Sequence, residues 1–158
     1  MQKITPFLWF DGKLEEAVRF YTTVFRNARV DNLSSWSATF VLDGQEFMAL
    51  NGGPQFKFNE AVSFFIRCET QDEVDHYWNK LSIDGGAEGQ CGWLKDKFGL
   101  SWQVIPSTLG RYLSDRDRAK ADRVMQAMRK MKKIDVAALD AAYAGGQPLE
   151  AGPMQGSQ

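Results

Sequence analysis

A single amide inside an apolar run is the first candidate for chemistry in this chain. The segment CGWLKDKFGLSWQVIP, residues 91–106, places Gln103 between Trp102 and Val104 on what we predict to be a buried strand. Gln103 fits three roles: a metal ligand, a group that contacts a substrate, or a polar residue of the core. Its neighbours in the sequence do not choose between them.

The residues that usually carry nucleophilic catalysis are sparse. The one histidine, His76, lies on a predicted helix, on the side away from the apolar face, and we interpret it as facing solvent. Cys91 can line a pocket, but no partner base that would activate its thiol is apparent. A Ser-His-Asp triad would have to use His76, so this class of catalysis is not predicted.

The glycine-containing turns do not match a nucleotide site. The candidates FDGK and NGGP do not spell a dinucleotide-binding or phosphate-binding loop. S-adenosylmethionine would ordinarily require such a loop after the first strand. NGGP is more simply a chain reversal.

Aromatic residues on predicted strands form the second candidate constellation. They are either core residues or the walls of an apolar ligand cavity, in which Gln103 and the tryptophan indoles would be the few polar groups. The set comprises Phe7, Trp9, Phe40, Phe47, Phe64, Trp93 and Trp102.

Composition limits the classes of partner. The 158 residues carry a net charge of −1, so there is no electrostatic argument for nucleic acid or an anionic membrane. Two cysteines, 44% hydrophobic residues and no apolar run of membrane-spanning length favour a folded cytoplasmic protein with reduced thiols.

The first half of the chain predicts a strand, a helix and three further strands. The run at 4–10 predicts a buried strand, and apolar residues at helical spacing predict a helix over about 13–25. Alternating stretches follow up to 51, with a tight hairpin predicted at Asp43-Gly44.

The second half repeats this order. We predict a strand at 61–69, a helix that starts with a capping box of Thr70 and Glu73, short extended pieces around 89–95, and a strand at about 100–105. An offset of 56 aligns Tyr21 with Tyr77. An offset of 55 aligns Gly44 with Gly99, Phe47 with Trp102, and Met48 with Gln103.

Beyond 106 the pattern becomes helical and charged. We predict one or two turns at 107–113, a helix at about 115–132 with a methionine stripe on one side, and a short helix capped by Asp135. The methionine stripe indicates packing within the chain or against a second subunit. Residues 145–158 are predicted to form a flexible tail.

Four segments of the chain carry a family resemblance, in the order LWFDGKLEEAVRFYTTVF, LDGQEFMALNGGP, CETQDEVDHYWNKL and CGWLKDKFGLSWQVIP. Together they resemble the PhnB-like branch of the glyoxalase/bleomycin-resistance (vicinal oxygen chelate) superfamily, a branch labelled 3-demethylubiquinone-9 3-methyltransferase. The resemblance covers about 3–106, and the helical end with MKKIDVAAL also resembles members of this branch.

The resemblance implies an α+β fold of two βαβββ modules, about 3–53 and 60–106, each curling a sheet around half a cavity. C-terminal helices at 107–144 would follow, and homodimers are usual in the superfamily. Catalytic members bind a divalent metal that acts as a Lewis acid. The corresponding positions here would be Pro6, Met48, Gln103, and either Val62 or Ser63.

We expect this chain to have the fold and the cavity of the superfamily but not its metal, because one amide and one serine bind a divalent cation poorly. We therefore expect no cofactor and a ligand that is an unknown small apolar or aromatic molecule. Alternatives are a divergent metal-dependent lyase or dioxygenase, the methyltransferase of the label, or a dimeric interaction module. The expected ligand-binding residues are Gln103, Trp93, Trp102, Trp9, Phe7, Cys91, Met48 and Ser63.

Overall fold

The computed structural model describes residues 2–145, which form eight strands and five helices. The strands are β1 (Phe7–Phe10), β2 (Ala28–Leu33), β3 (Ser37–Leu42), β4 (Gln45–Asn51), β5 (Ser63–Cys68), β6 (Ala87–Glu88), β7 (Trp93–Lys95) and β8 (Ser101–Pro106). The helices are α1 (Leu14–Val24), α2 (Gln71–Leu81), α3 (Ser107–Leu113), α4 (Arg118–Arg129) and α5 (Val136–Tyr143).

The first sheet has the strand order β1-β4-β3-β2, which with α1 makes one βαβββ module, here called module one. β1 runs parallel to β4, and β4 is antiparallel to β3. Asp43 and Gly44 both have positive φ and close the predicted two-residue hairpin between Leu42 and Gln45. The first strand is shorter than predicted and starts after Pro6, which has no N–H to donate.

One face of this sheet is covered by α1. The helix buries Leu14, Ala17, Val18 and Tyr21, which recur at helical spacing. Its N-terminus is held by the last residue of β4, because the Leu14 amide donates to Asn51 Oδ1 at 3.1 Å. Asn51, the first residue of the NGGP segment, thus supports α1 in addition to starting the predicted chain reversal.

The second sheet has the order β5-β8-β7-β6 and, with α2, forms module two. The strand order matches that of module one, so the predicted repeat is confirmed. The Thr70 hydroxyl accepts from the Glu73 amide at 3.2 Å, as the capping box requires. The returning bond differs from the prediction, because Glu73 Oε2 accepts from the amide of Glu69 instead of that of Thr70.

A turn at Asp96–Gly99 precedes the last strand of module two. Asp96 is buried, and its Oδ1 accepts from the amides of Phe98 and Leu100 at 2.9 and 3.1 Å. The Tyr21 hydroxyl donates to Asp96 Oδ2 at 2.6 Å. Burial, followed by the charge of Asp96 and this bond, raises the pKa of Tyr21 well above its ordinary value.

The C-terminal helices form a core of their own with the end of β8. Six buried residues make up this cluster: Ile105, Leu109, Val124, Ile134, Leu139 and Ala142. Met128 and Met131 pack against it, so this part of the methionine stripe packs within the chain. Asp135 accepts from the Ala138 amide at 3.2 Å, which confirms the predicted cap of α5.

The connection between α4 and α5 is bound to module two by backbone and amide hydrogen bonds. The amides of Cys91 and Gly92 donate to the carbonyls of Met131 and Lys132, both at 2.8 Å. Gln71 at the start of α2 donates to the carbonyl of Ile134 at 3.0 Å and accepts from the amide of Val136 at 2.7 Å. We call residues 131–136 the strap, because they fix the extension to module two.

The chain divides into two compact units. Among the described residues, unit 1 contains 2–63, 80–87 and 95–101, and unit 2 contains 64–79, 88–94 and 102–145. The extension therefore shares a unit with most of module two. Apart from Gly145, the predicted flexible tail lies outside the described residues.

Candidate functional site

Unit 2 contains a cleft of about 750 Å³ on the face of its sheet that bears Gln103. We call it the module-two cleft. Phe65, Trp93 and Ile105 form its sheet side, and Leu113 of α3 and Met128 of α4 contribute from the extension. The volume lies within the range of small-molecule sites, which are typically apolar with a few polar groups.

The polar groups of this cleft come from both the sheet and the extension. Gln103 is half-buried on β8, and Cys91 lines the same cleft from the turn before β7. Arg67 and Glu69 come from β5 and its end, and Ser107 and Arg111 come from α3. The Ser107 hydroxyl donates to Glu69 Oε2 at 3.0 Å, which links the two sides of the cleft.

Strand alternation places the predicted Trp102 on the opposite face of β8 from Gln103. Trp102 is 3% exposed and packs against Phe64, with ring centroids 5.5 Å apart. It lines neither cleft described here. Ser63 shares a strand face with Phe65 and Arg67 by the same alternation, but it lies at the start of β5 and does not line the cleft.

Trp9 lines a different cleft, of about 520 Å³, which lies within unit 1 and which we call the module-one cleft. Its indole donates to the Gly53 carbonyl at 2.8 Å and meets Phe56 edge to face. A Cβ on Gly52 would overlap the indole at 2.2 Å, so a glycine is needed where the loop crosses Trp9. The indole thus anchors the loop after β4.

Phe7 and Met48 are neighbours across the parallel pair of β1 and β4. They are 54% and 38% exposed and line neither the module-one nor the module-two cleft. The open face of the first sheet therefore presents an apolar surface. The two predicted ligand contacts Phe7 and Met48 do not share a cleft with Gln103.

The remaining titratable candidates do not form a catalytic group. Cys68 is fully buried, and burial, with the charges of Glu73 and Glu69, raises the pKa of its thiol to about 12. His76 is half-buried instead of fully solvent-facing and meets Tyr77 edge to face at 5.0 Å. Neither residue lines the two clefts.

The residues at the positions where the resemblance implies metal ligands do not fit a divalent cation. They offer a proline at 6, a thioether at Met48, either the apolar Val62 or the hydroxyl of Ser63, and an amide at Gln103. Within residues 2–145 no three His, Cys, Asp or Glu side chains are grouped to hold a metal. We derive no step through a metal, and the absence of one stays a prediction.

The sequence prediction named only three of the residues that line the module-two cleft, Gln103, Trp93 and Cys91. Arg67 follows Phe65 by two residues on one strand, so alternation could have found it. The residues of α3 and α4 left no comparable signal, because the packing of these helices with the end of β8 is a tertiary contact. The residues that the sequence prediction missed include Arg67, Glu69, Ser107, Leu109, Arg111, Leu113 and Met128.

Two successive βαβββ modules with matching strand order define the glyoxalase-like fold class. Residues 2–105 match the family described as 3-demethylubiquinone-9 3-methyltransferase, and this chain belongs to that PhnB-like family of the vicinal oxygen chelate superfamily. The PhnB protein of Bacillus cereus, which carries the same family description, is 37% identical with a TM-score of 0.63; the match covers 67% of this chain and 100% of that one.

More distant structures share the fold alone. The fosfomycin resistance protein FosX of Listeria monocytogenes, solved with Mn(II) and sulfate, is 16% identical with a TM-score of 0.54, covering 72% of this chain and 96% of that one. A glyoxalase-related enzyme from Fulvimarina pelagi is 14% identical with a TM-score of 0.53, covering 69% and 91%. No curated protein matches the chain.

The family match ends at residue 105, whereas the extension begins with α3 at Ser107. The Bacillus protein is covered over its whole length by 67% of this chain. The extension side of the module-two cleft therefore lies beyond the residues that match the family model. Within residues 2–145 no helix has the length and apolarity to cross a membrane.

Proposed function

We propose that this protein binds a small apolar or aromatic molecule in the module-two cleft, without a resident metal and without catalysing a reaction on it. The cleft carries the proposal, because its volume of about 750 Å³ accommodates such a ligand and its walls are largely apolar. Trp93 offers a ring for stacking, and Gln103 offers a polar contact that is held on a strand.

Tryptophan fluorescence tests the binding role. Titration with a panel of aromatic and apolar compounds should quench part of the emission, and Trp93→Phe should remove most of the ligand-dependent change. Trp36→Phe is the matched control, because Trp36 is 67% exposed and lines neither cleft. A panel that leaves the emission of the wild-type protein unchanged would argue against the proposal.

Elemental analysis tests the metal-free part. Protein purified without chelator should contain less than stoichiometric nickel, zinc, iron or manganese. A stoichiometric metal that disappears in Gln103→Ala would overturn this part and restore the metal-dependent lyase or dioxygenase. Saturable binding of S-adenosylmethionine would instead restore the methyltransferase.

We also propose that the protein is a homodimer and that the open face of the first sheet takes part in association. Support comes from the exposed apolar pair Phe7 and Met48, whose coverage would remove apolar surface from water. Sedimentation should give twice the chain mass, and Met48→Glu should shift the protein towards monomer. Monomeric wild-type protein at high micromolar concentration would exclude a stable dimer.

A cytoplasmic location is a further proposal. Both cysteines, Cys68 and Cys91, are free thiols. Cys91 lines the module-two cleft, and its thiol would be open to oxidation in an oxidising compartment. Fractionation of cells, with thiol labelling of Cys91 in the native protein, should find a reduced thiol in the cytoplasmic fraction.

A further inference from the structure

The charged side chains that line the module-two cleft leave a net positive charge. Of its lining residues three carry charge: Arg67 and Arg111 are cationic, and Glu69 is anionic. The Glu69 carboxylate is already engaged by the Ser107 hydroxyl at 3.0 Å. The lining therefore keeps an excess of positive charge beside apolar walls.

Neither arginine is neutralised by the rest of the described chain. Among residues 2–145, Arg67 and Arg111 form no salt bridge, although six other ion pairs are present. The Arg111 guanidinium donates one long hydrogen bond, from Nη2 to Thr108 Oγ1 at 3.4 Å within its own helix. Both guanidinium groups thus retain donors for an external acceptor.

The two arginines come from different sides of the cleft. Arg67 lies on β5, next to Phe65 on the same strand face, whereas Arg111 lies on α3, between Gly110 and the half-buried Tyr112. Trp93, Leu113 and Met128 supply the apolar remainder of the lining. A ligand that contacts all of these groups needs an apolar body and an anionic end.

We propose that the module-two cleft selects an apolar or aromatic anion, such as an organic acid, whose charged group is bound by Arg67 and Arg111. Guanidinium groups suit this task because they remain charged and donate in a planar fork. Since Arg111 lies beyond the family match, the extension supplies half of the anion-binding pair. This inference rests on the proposed binding function and names the ligand class.

A matched pair of fluorescent probes tests it on the full chain. 8-Anilinonaphthalene-1-sulfonate is an aromatic anion, and N-phenyl-1-naphthylamine is the same ring framework without the sulfonate. At neutral pH the anion should bind about tenfold more tightly, a difference expected for charge-assisted contacts at a partly exposed site. Only binding that is lost in Trp93→Ala is counted, because the exposed Phe7 and Met48 can also attract either probe.

Charge variants give the sharper result. Arg67→Gln and Arg111→Gln should each weaken the anion about fivefold and leave the neutral probe within about twofold. Glu69→Gln should act in the opposite direction and tighten the anion about twofold. Arg129→Gln is the control, because Arg129 is an exposed arginine of α4 that does not line the cleft. Circular dichroism confirms that each variant is folded.

The outcomes separate this inference from the proposed function. Equal affinity for the two probes, or no weakening in either arginine variant, overturns the anion preference while Trp93-dependent binding still supports the proposed function. Failure of both probes to bind at the cleft overturns both. If only Arg67→Gln weakens the anion, the assignment of Arg111 and the role of the extension are refuted.

Discussion

The two modules repeat one arrangement but leave their open sheet faces in different states. In module one that face presents Phe7 and Met48, both exposed. In module two the corresponding strands present Phe65 and Gln103, which line a cleft that α3 and α4 also line. The same sheet architecture thus yields a bare apolar surface in one case and a candidate binding site in the other.

The difference comes from the extension and not from the modules. The repeat places Met48 and Gln103 at equivalent positions of the last strand, where both point away from the helix-covered face. The strap at 131–136 is hydrogen-bonded to Cys91, Gly92 and Gln71 and fixes the extension to module two. An added segment can therefore create a site on one half of a repeat fold.

The largest expected effect is at the strap. Ile134→Ala removes a fully buried side chain of the extension core and should lower the free energy of unfolding by about 3 kcal/mol. Ile4→Ala is the same change at a residue that is 85% exposed in unit 1, and should cost less than about 0.5 kcal/mol. Urea denaturation measures both. Similar costs would mean that the extension is not part of the cooperative core.

The two turns before the last strands give the next contrast. Asp96→Asn should cost about 2–3 kcal/mol, because the buried carboxylate accepts from two amides and from Tyr21. Asp43→Asn should cost less than about 0.5 kcal/mol, since Asp43 is exposed and asparagine tolerates positive φ. Thermal unfolding of both variants tests this, and an equal loss would remove the assigned role of Asp96.

Two glycines at equivalent turns of the modules should have the same effect on stability when they are replaced by alanine. Gly44 and Gly99 have φ of +81° and +87°, and a Cβ at either would meet nothing within 4 Å. Gly44→Ala and Gly99→Ala should each cost about 1–2 kcal/mol through backbone strain alone. Chemical denaturation measures the loss of unfolding free energy for both variants. If the two losses differ by more than about 1 kcal/mol, the turns are not equivalent.

The smallest effect should be a gain. Gly110 lies within α3 with open space around its Cβ position, so Gly110→Ala should add about 0.5–1 kcal/mol of stability by restricting the unfolded chain. Gly12→Ala is the control: it has equal space, but its φ of +70° should make the change destabilising. Loss of stability in Gly110→Ala would contradict the helical geometry assigned to α3.

Local patterns were sufficient for most elements. The hairpin at Asp43-Gly44, the caps by Thr70 and Asp135, and the amphipathic helices depend on contacts within a few residues, which sequence periodicity records. The exact ends of the strands and helices were less well predicted. β1 starts only after Pro6, and the returning bond of the Glu73 carboxylate comes from the amide of Glu69 and not from that of Thr70.

The candidate site was predicted only in part. Gln103, Trp93 and Cys91 lie in the module-two cleft, but Trp102 faces the core, Trp9 lines the other cleft, and Phe7 and Met48 lie on the open face. An aromatic residue gives a strand the same sequence pattern whichever face it lies on. The sequence therefore did not distinguish aromatic residues of the core from those that line a cleft. The binding roles of the residues in the cleft remain predictions.

The amino-acid sequence by itself determined the repeat, its turns and its family, because these depend on short-range spacing of apolar, glycine and capping residues. Through the family resemblance it also predicts that the metal positions of the superfamily correspond to Pro6, Met48, Gln103, and either Val62 or Ser63. Only the tertiary structure decided that Arg111 lines the same cleft as Arg67, since the two residues lie on α3 and β5, which are far apart in the chain. Long-range closure of this kind leaves no periodic trace in the sequence.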